Sequence, residues 1–314
     1  MAGKEENVVI SAGDCTLTLI PALGGKISSL RILSHELLQS PLHPFAPRTH
    51  TMGFAEGDAS GWDECLPSVS ECTVATEAGK AFIPDHGDLW RIPWQVLDSS
   101  PDSATLRVSC FSLPLQLTRS VILSETQTGW RLQLLYSLTN MGATSVPWAW
   151  TAHPLFVSEP GDRIVLPGEV QALRLEGSGG NRLGCNGDEV SWPIATLADG
   201  SAFDLSLARS ADTGFGDKLF TGVMQDGWCA LERPSIGLRL SVHFDPRLTP
   251  YIGLWLCYGG WPEEPGLKQV CVALEPSTSP VDSLAESGSW SRTLAPGETV
   301  NWPMTLGIEP IQPG

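Results

Sequence analysis

Basic residues are scarce in this chain: 19 lysines and arginines stand against 35 aspartates and glutamates, for a formal net charge of −16. Phosphate backbones and anionic lipid surfaces repel such a molecule at long range, which argues against nucleic acid or an anionic membrane as partner. Long apolar runs are missing too. The longest stretch free of Asp, Glu, Lys and Arg, Leu132 to Ser158, carries Asn140, Pro147, His153 and Pro154 and makes a poor membrane span. The eight cysteines form no C-x-x-C pair and show no recurring spacing, so neither a zinc site nor a disulfide framework is indicated. Met1 to Glu6 lacks the basic and then apolar character of a secretory leader, and a cytoplasmic location is expected. No long amphipathic helix pattern, internal repeat or linker divides the chain. A single domain over residues 1–314 is therefore expected.

What is abundant is punctuation. The 32 glycines and 25 prolines are scattered rather than clustered and cut the chain into many short segments, which favours an all-β protein. Apolar–polar alternation is clear over 106–110, 115–121, 130–134, 228–232, 238–244 and 299–308. Residues 39–52 read as a surface loop and 157–218 as loop-rich. The 12 tryptophans against three tyrosines suit the filling of a large β core, and a few indoles would also suit the apolar face of a sugar ring.

Two stretches stand out. In Pro147–Phe156, a strand would place Trp148 and Trp150 on one face and Ala149, Thr151 and His153 on the other. This predicts core behind and cavity in front, with Pro154 stopping the pairing just after the histidine. Lys268–Pro276 is built the same way. Val270, Val272 and Leu274 share one face; Gln269, Cys271, Ala273 and Glu275 share the other, again followed by proline. Each strand thus delivers one acid–base group over a face of small residues, as general acid–base catalysis requires.

Weaker candidates lie in loops. Asp85-His86-Gly87-Asp88 holds a histidine whose tautomer either aspartate could fix. Trp62-Asp63-Glu64 offers an aromatic platform with carboxylates, or simply a turn with solvated carboxylates. Gly24-Gly25-Lys26 reads as a turn between strands. His35, His43 and His50 are too irregularly spaced to indicate metal.

Taken together, Gly24-Gly25-Lys26-Ile27, Asp63-Glu64-Cys65-Leu66-Pro67, Asp85-His86-Gly87 with Trp90 and Trp94, Thr151-Ala152-His153-Pro154-Leu155-Phe156 and Leu274-Glu275-Pro276 resemble, in that order, segments of the aldose 1-epimerase (galactose mutarotase-like) family. The resemblance implies a large antiparallel β-sandwich and interconversion of the α and β anomers of a free aldose. His153 would be the general acid, Glu275 the general base and His86 a second histidine at the ring. Asp217, in Gly216-Asp217-Lys218-Leu219, falls near the place of a carboxylate that binds sugar hydroxyls, and Trp62 and Asp63 are further candidates for sugar contacts. Of the Asn-His-x-x-His-Gly loop of the galactose enzymes only Asp85-His86-Gly87 is present, and Arg91 is displaced from the arginine that follows it in relatives acting on hexose 6-phosphates. A hexose-6-phosphate 1-epimerase and a non-catalytic carbohydrate-binding protein of the same fold are the alternatives. No cofactor or metal is implied, and the partner is a small sugar bound by a monomer or small homo-oligomer.

Because an acid and a base suffice for this chemistry, anomer exchange is expected to survive exhaustive treatment with a chelator. Activity lost to the chelator and restored by one divalent ion would demand a metal-dependent mechanism instead.

Overall fold

Alternating burial along the strands builds two antiparallel sheets whose apolar faces meet. The computed structural model describes residues 7–311; residues 1–6, on which the expected location rested, lie outside it, as do 312–314. Among the described residues the helical segments are three-residue 3₁₀ turns, and everything else regular is strand. None of these helices is long and apolar enough to cross a membrane.

The smaller sheet has eight strands, in the order Arg163–Val165, Trp228–Arg233, Leu238–Phe244, Thr299–Pro310, Trp130–Asn140, Leu115–Glu125, Ser103–Ser109 and Gln95–Ser99. Leu115, Leu117, Arg119, Val121 and Leu123 point inward while the alternate residues Gln116, Thr118, Ser120 and Ile122 are more exposed, the pattern of a sheet wet on one side. The larger sheet has eleven strands. Its centre runs Lys26–Ile32, Trp62–Cys65, Thr151–Val157, Val270–Ser277, Tyr251–Tyr258, Phe215–Thr221 and Ala172–Ser178. Leu30, Trp150, Ala152, Phe156, Leu254, Val272 and Leu274 from this sheet share one core with Leu117, Leu134 and Leu306 from the other. On the opposite face of the larger sheet a second small cluster forms, Leu155, Cys257, Cys271 and Ala273, with Trp255 and Trp261 packed against it.

The expected all-β sandwich is found. Within 147–156, Trp148, Trp150, Ala152 and Phe156 enter the core and His153 faces outward, but Ala149 also joins the core and the stretch is split between two strands, Val146–Trp148 and Thr151–Val157. Two segments differ from expectation. Ala172–Ser178 is a full strand of the larger sheet, hidden in the sequence by its short alternation and by a bulge between Leu175 and Gly177. Trp62–Cys65 is also a strand, not a turn, and all four of its residues are buried.

That strand explains how the sheets are joined. Its neighbours Asp63 and Glu64 point to opposite faces, and Glu64 enters the core between the sheets. Its Oε1 accepts from Arg119 at 3.0 Å and from the Tyr136 hydroxyl at 2.9 Å; its Oε2 accepts from Trp150 Nε1 at 2.9 Å. Arg119 lies in phase with the leucines of the smaller sheet, fully buried, with its guanidinium 4.7 Å from the centre of the Trp94 ring. A buried carboxylate is tolerated only with this degree of pairing. Glu64→Ala should leave Arg119 charged and unpaired, and is expected to cost about 3–5 kcal/mol of stability, read by denaturant unfolding. A loss under about 1 kcal/mol, the scale of an exposed pair, would show that the contact does not tie the sheets.

Candidate active site

The Thr151–Val157 and Val270–Ser277 strands lie side by side. Thr151 faces Ser277 and Leu155 faces Ala273, so His153 stands opposite Glu275. Thr278 N–H donates to Trp150 O at 2.9 Å. The antiparallel alternation then makes His153 and Glu275 a non-hydrogen-bonded pair, the type in which facing side chains approach most closely. Pro154 and Pro276 lack the N–H groups that would otherwise cross between the strands around this pair. Pairing therefore opens next to His153 and resumes at Leu155, an interruption rather than the end of the strand that the sequence suggested.

His153 Nε2 is 3.8 Å from Glu275 Oε1. Glu275 Oε2 forms an ion pair with Lys218 Nζ, and Oε1 is buried without a hydrogen-bond partner. Room for the carboxylate comes from Gly253, directly across the next strand: a Cβ there would lie 2.8 Å from Glu275 Oε2. Lys218 also lies 3.5 Å from Asp282 Oδ1.

His86 arrives from a loop. Its φ of 57° and the φ of 69° at Gly87 turn the chain sharply, and a Cβ on Gly87 would stand 2.2 Å from Leu66 O. Only glycine fits there. Asp85 Oδ1 lies 2.9 Å from His86 Nδ1, off the ideal hydrogen-bond direction. The His86 ring stacks on Phe54 with centroids 3.8 Å apart and meets the His153 ring edge-on at 5.3 Å. Arg91 holds this arrangement from below, donating to Gly87 O and Met52 O at 2.7 Å each. It braces the loops through backbone and is not free to meet a phosphate. Asp88 does not touch His86; it caps the turn at Phe111 and Ser112.

His86, His153, Lys218 and Asp282 border a cavity of about 390 Å³, within the range of roughly 300–1,000 Å³ typical of small-molecule sites, and Glu275 lies buried beside His153. Phe54, Trp255 and Trp261 supply aromatic surface; His86, His153, Lys218, Gln269, Asp85 and Asp282 supply polar groups. His86, His153 and Glu275 thus converge, as the sequence led us to expect of their positions.

The three proposed sugar contacts do not. Trp62 is fully buried in the core, its ring 6.4 Å from that of Phe156, because it shares the inward face of its strand with Glu64. Asp63 points the other way but is bound at 2.5 Å by Lys26, which also lies 3.1 Å from Asp58, and it is 2% exposed. Asp217 falls in phase with Phe215 and Leu219 on the core side, where Ser178 and Arg182 saturate it. Its neighbour Lys218 is the residue that faces the cavity. Lys218 was legible from that parity; Asp282, in a loop after the Glu275 strand, carried no periodic signal.

No family model and no curated protein matches the sequence. Solved structures do. The chain superimposes on a protein of Escherichia coli K12 that carries the provisional name aldose 1-epimerase with a TM-score of 0.72, at 19% identity over 98% of this chain and 99% of that one. A galactose mutarotase-like protein of Lactobacillus casei gives 0.67 at 18% identity, covering 97% and 100%. A GalM/aldose epimerase homologue of C. elegans gives 0.65 at 13%, covering 98% and 99%. The chain has the galactose mutarotase-like fold.

Within the candidate site the charges are unevenly placed. Burial first, and then the positive charges of His86, Lys218 and Lys26, hold His153 well below the usual histidine range, so its imidazole is neutral. Burial pulls the Lys218 ammonium down, but Asp282 and Glu275 outweigh it and hold the group above its ordinary value. At Asp85, burial is outweighed by contact with His86, which keeps the carboxyl below its ordinary value.

The His153 shift has a thermodynamic sign. The unfolded chain takes up a proton near the ordinary histidine value of about 6.5, and the folded chain resists it. Stability from this group is therefore complete above that pH and is lost as pH falls below it toward the folded value. Between pH 7 and 5 the melting temperature of His153→Asn is expected to fall less than that of the unmutated protein. Parallel falls would show that His153 is not buried in its neutral form.

Proposed function

We propose that this protein is an aldose 1-epimerase, opening and reclosing the ring of a free sugar by general acid–base catalysis. The observation that carries this reading is the His153–Glu275 pair, 3.8 Å apart, with His153 and His86 lining an aromatic-walled cavity and Glu275 buried beside His153. In a cyclic hemiacetal, a base takes the proton of the anomeric hydroxyl and its O–H electrons form the carbonyl. The bond from the anomeric carbon to the ring oxygen breaks, and the ring oxygen takes a proton from an acid. Rotation about the C1–C2 bond and closure with the roles reversed give the other anomer.

Glu275 suits the base. One oxygen is fixed by Lys218 and the other is unpaired, an arrangement that orients the carboxylate and leaves an acceptor toward the ligand. His153 is the general acid in this reading, acting from its neutral form. A neutral imidazole can donate a hydrogen bond to the ring oxygen and polarise it, and His86, 5.3 Å from the His153 ring, is a second histidine at the same side of the cavity. Trp255 and Trp261 would take the apolar face of the sugar.

Glu275→Gln keeps the shape of the side chain and removes the base. Anomer exchange, followed by NMR from freshly dissolved pure anomers, is expected to fall by roughly 10²-fold or more, while sugar affinity by calorimetry changes little. Unchanged exchange would remove Glu275 from the mechanism. Binding without exchange in the unmutated protein, across a broad panel, would make it a carbohydrate-binding protein.

A further inference from the structure

Asp217, which the sequence marked for sugar hydroxyls, is sealed into the core, and the place it would have filled is open to another carboxylate. We propose that Asp282, held against Lys218, is the residue that binds the hydroxyl groups of an uncharged sugar in this cavity. The proposal rests on the epimerase reading and names the substrate class that the site would accept.

Asp282 is fixed by its backbone on both sides. Its N–H donates to Glu176 Oε1 at 3.1 Å, and its carbonyl accepts from Val69 N–H and Ser70 N–H at 2.9 Å each. The Val69 carbonyl in turn accepts from His86 N–H at 2.5 Å. One short segment therefore brackets both His86 and Asp282 and sets the distance between them. Serine side chains lock the approach: Ser277 Oγ donates to Ser279 O at 2.8 Å, and Ser279 Oγ to Val281 O at 3.0 Å. The carboxylate that this frame presents lines the cavity, and its Oδ1 is buried with no hydrogen-bond partner, 3.5 Å from Lys218. An acceptor so placed is costly to leave empty and matches a hydroxyl donor.

The same geometry rejects anions. Lys218 is the cavity's lysine, and its charge is already shared between Glu275 and Asp282. Arg91 is spent on backbone carbonyls. A phosphoryl group in the cavity would meet Asp85 and Asp282, and among the described lining residues no lysine or arginine is uncommitted to receive it.

Asp282 titrates in reach of measurement. Burial raises its carboxyl to about 6, opposed by Lys218; Glu275 and Glu176 push it further up and His86 pulls it down. Protonation removes an acceptor and the charge, so KM should rise as pH falls through that value.

The test uses the full chain, anomer exchange by NMR and calorimetry, with pure anomers of D-glucose, D-galactose, D-mannose and D-xylose and with D-glucose 6-phosphate. In Asp282→Asn, KM for the best free sugar is expected to rise roughly tenfold or more, with kcat within about threefold and a melting temperature near that of the parent. The rise of KM toward acid pH should be present in the parent and absent in Asp282→Asn. Glucose 6-phosphate should be handled worse than glucose. KM within about twofold of the parent, the same acid limb in both proteins, or preference for the phosphate would each overturn the proposal. If Asp282→Asn does not fold, the parent alone decides: no rise of KM below pH about 6 overturns it. If the parent binds a sugar without exchanging anomers, the epimerase reading fails, and the dissociation constants of parent and variant still decide the role of Asp282. A parent that neither binds nor exchanges any sugar of the panel overturns both.

Discussion

Successive side chains of a β-strand point to opposite faces, and the centre of the larger sheet depends on that constraint. Five neighbouring strands each send apolar residues into the core and a group of different character outward. Trp62 and Glu64 go in while Asp63 and Cys65 go out; Ala152 and Phe156 go in while His153 goes out; Val272 and Leu274 go in while Glu275 goes out. Leu254 goes in while Gly253 and Trp255 face outward, and Asp217 and Leu219 go in while Lys218 goes out. A shift of one residue in any of them would bury the polar group and expose the core. The site is thus fixed by the same register that fixes the fold.

Buried charge is the second thread. Glu64 and Arg119 meet between the sheets, Lys26 lies among Asp58 and Asp63, and Lys218 lies between Glu275 and Asp282. Each set is costly to desolvate and is tolerable because opposite charges are paired within it. The third set differs from the first. Glu64 uses both oxygens on protein donors, whereas Glu275 and Asp282 each keep one buried oxygen without a partner. Those two open acceptors lie beside the candidate site.

Much of this could be read in the sequence, for a physical reason. Period two is a local property, so the core and cavity faces of 151–156 and 270–275 followed from the residues themselves. Nothing local marked Arg119 or Glu64 as a buried pair. The failures came where locality ends. Trp62 and Asp63 looked like an exposed platform because a four-residue strand is too short to show its period. Asp217 was matched by motif rather than by parity, and parity assigns the outward face to Lys218. Asp282 and the stacking of Phe54 on His86 depend on loops whose course is set by distant backbone bonds, which no window of sequence contains.

The ion pairs of Lys218 have one more consequence. An epimerase passes through the open-chain aldehyde, and a neutral amine close to an aldehyde condenses with it to an imine. That reaction needs the nitrogen lone pair. With Asp282 and Glu275 holding the proton on Lys218, the lone pair is occupied and the amine is no nucleophile. If the chain turns over an aldose as proposed, the two carboxylates would protect it from glycation by the open-chain intermediate.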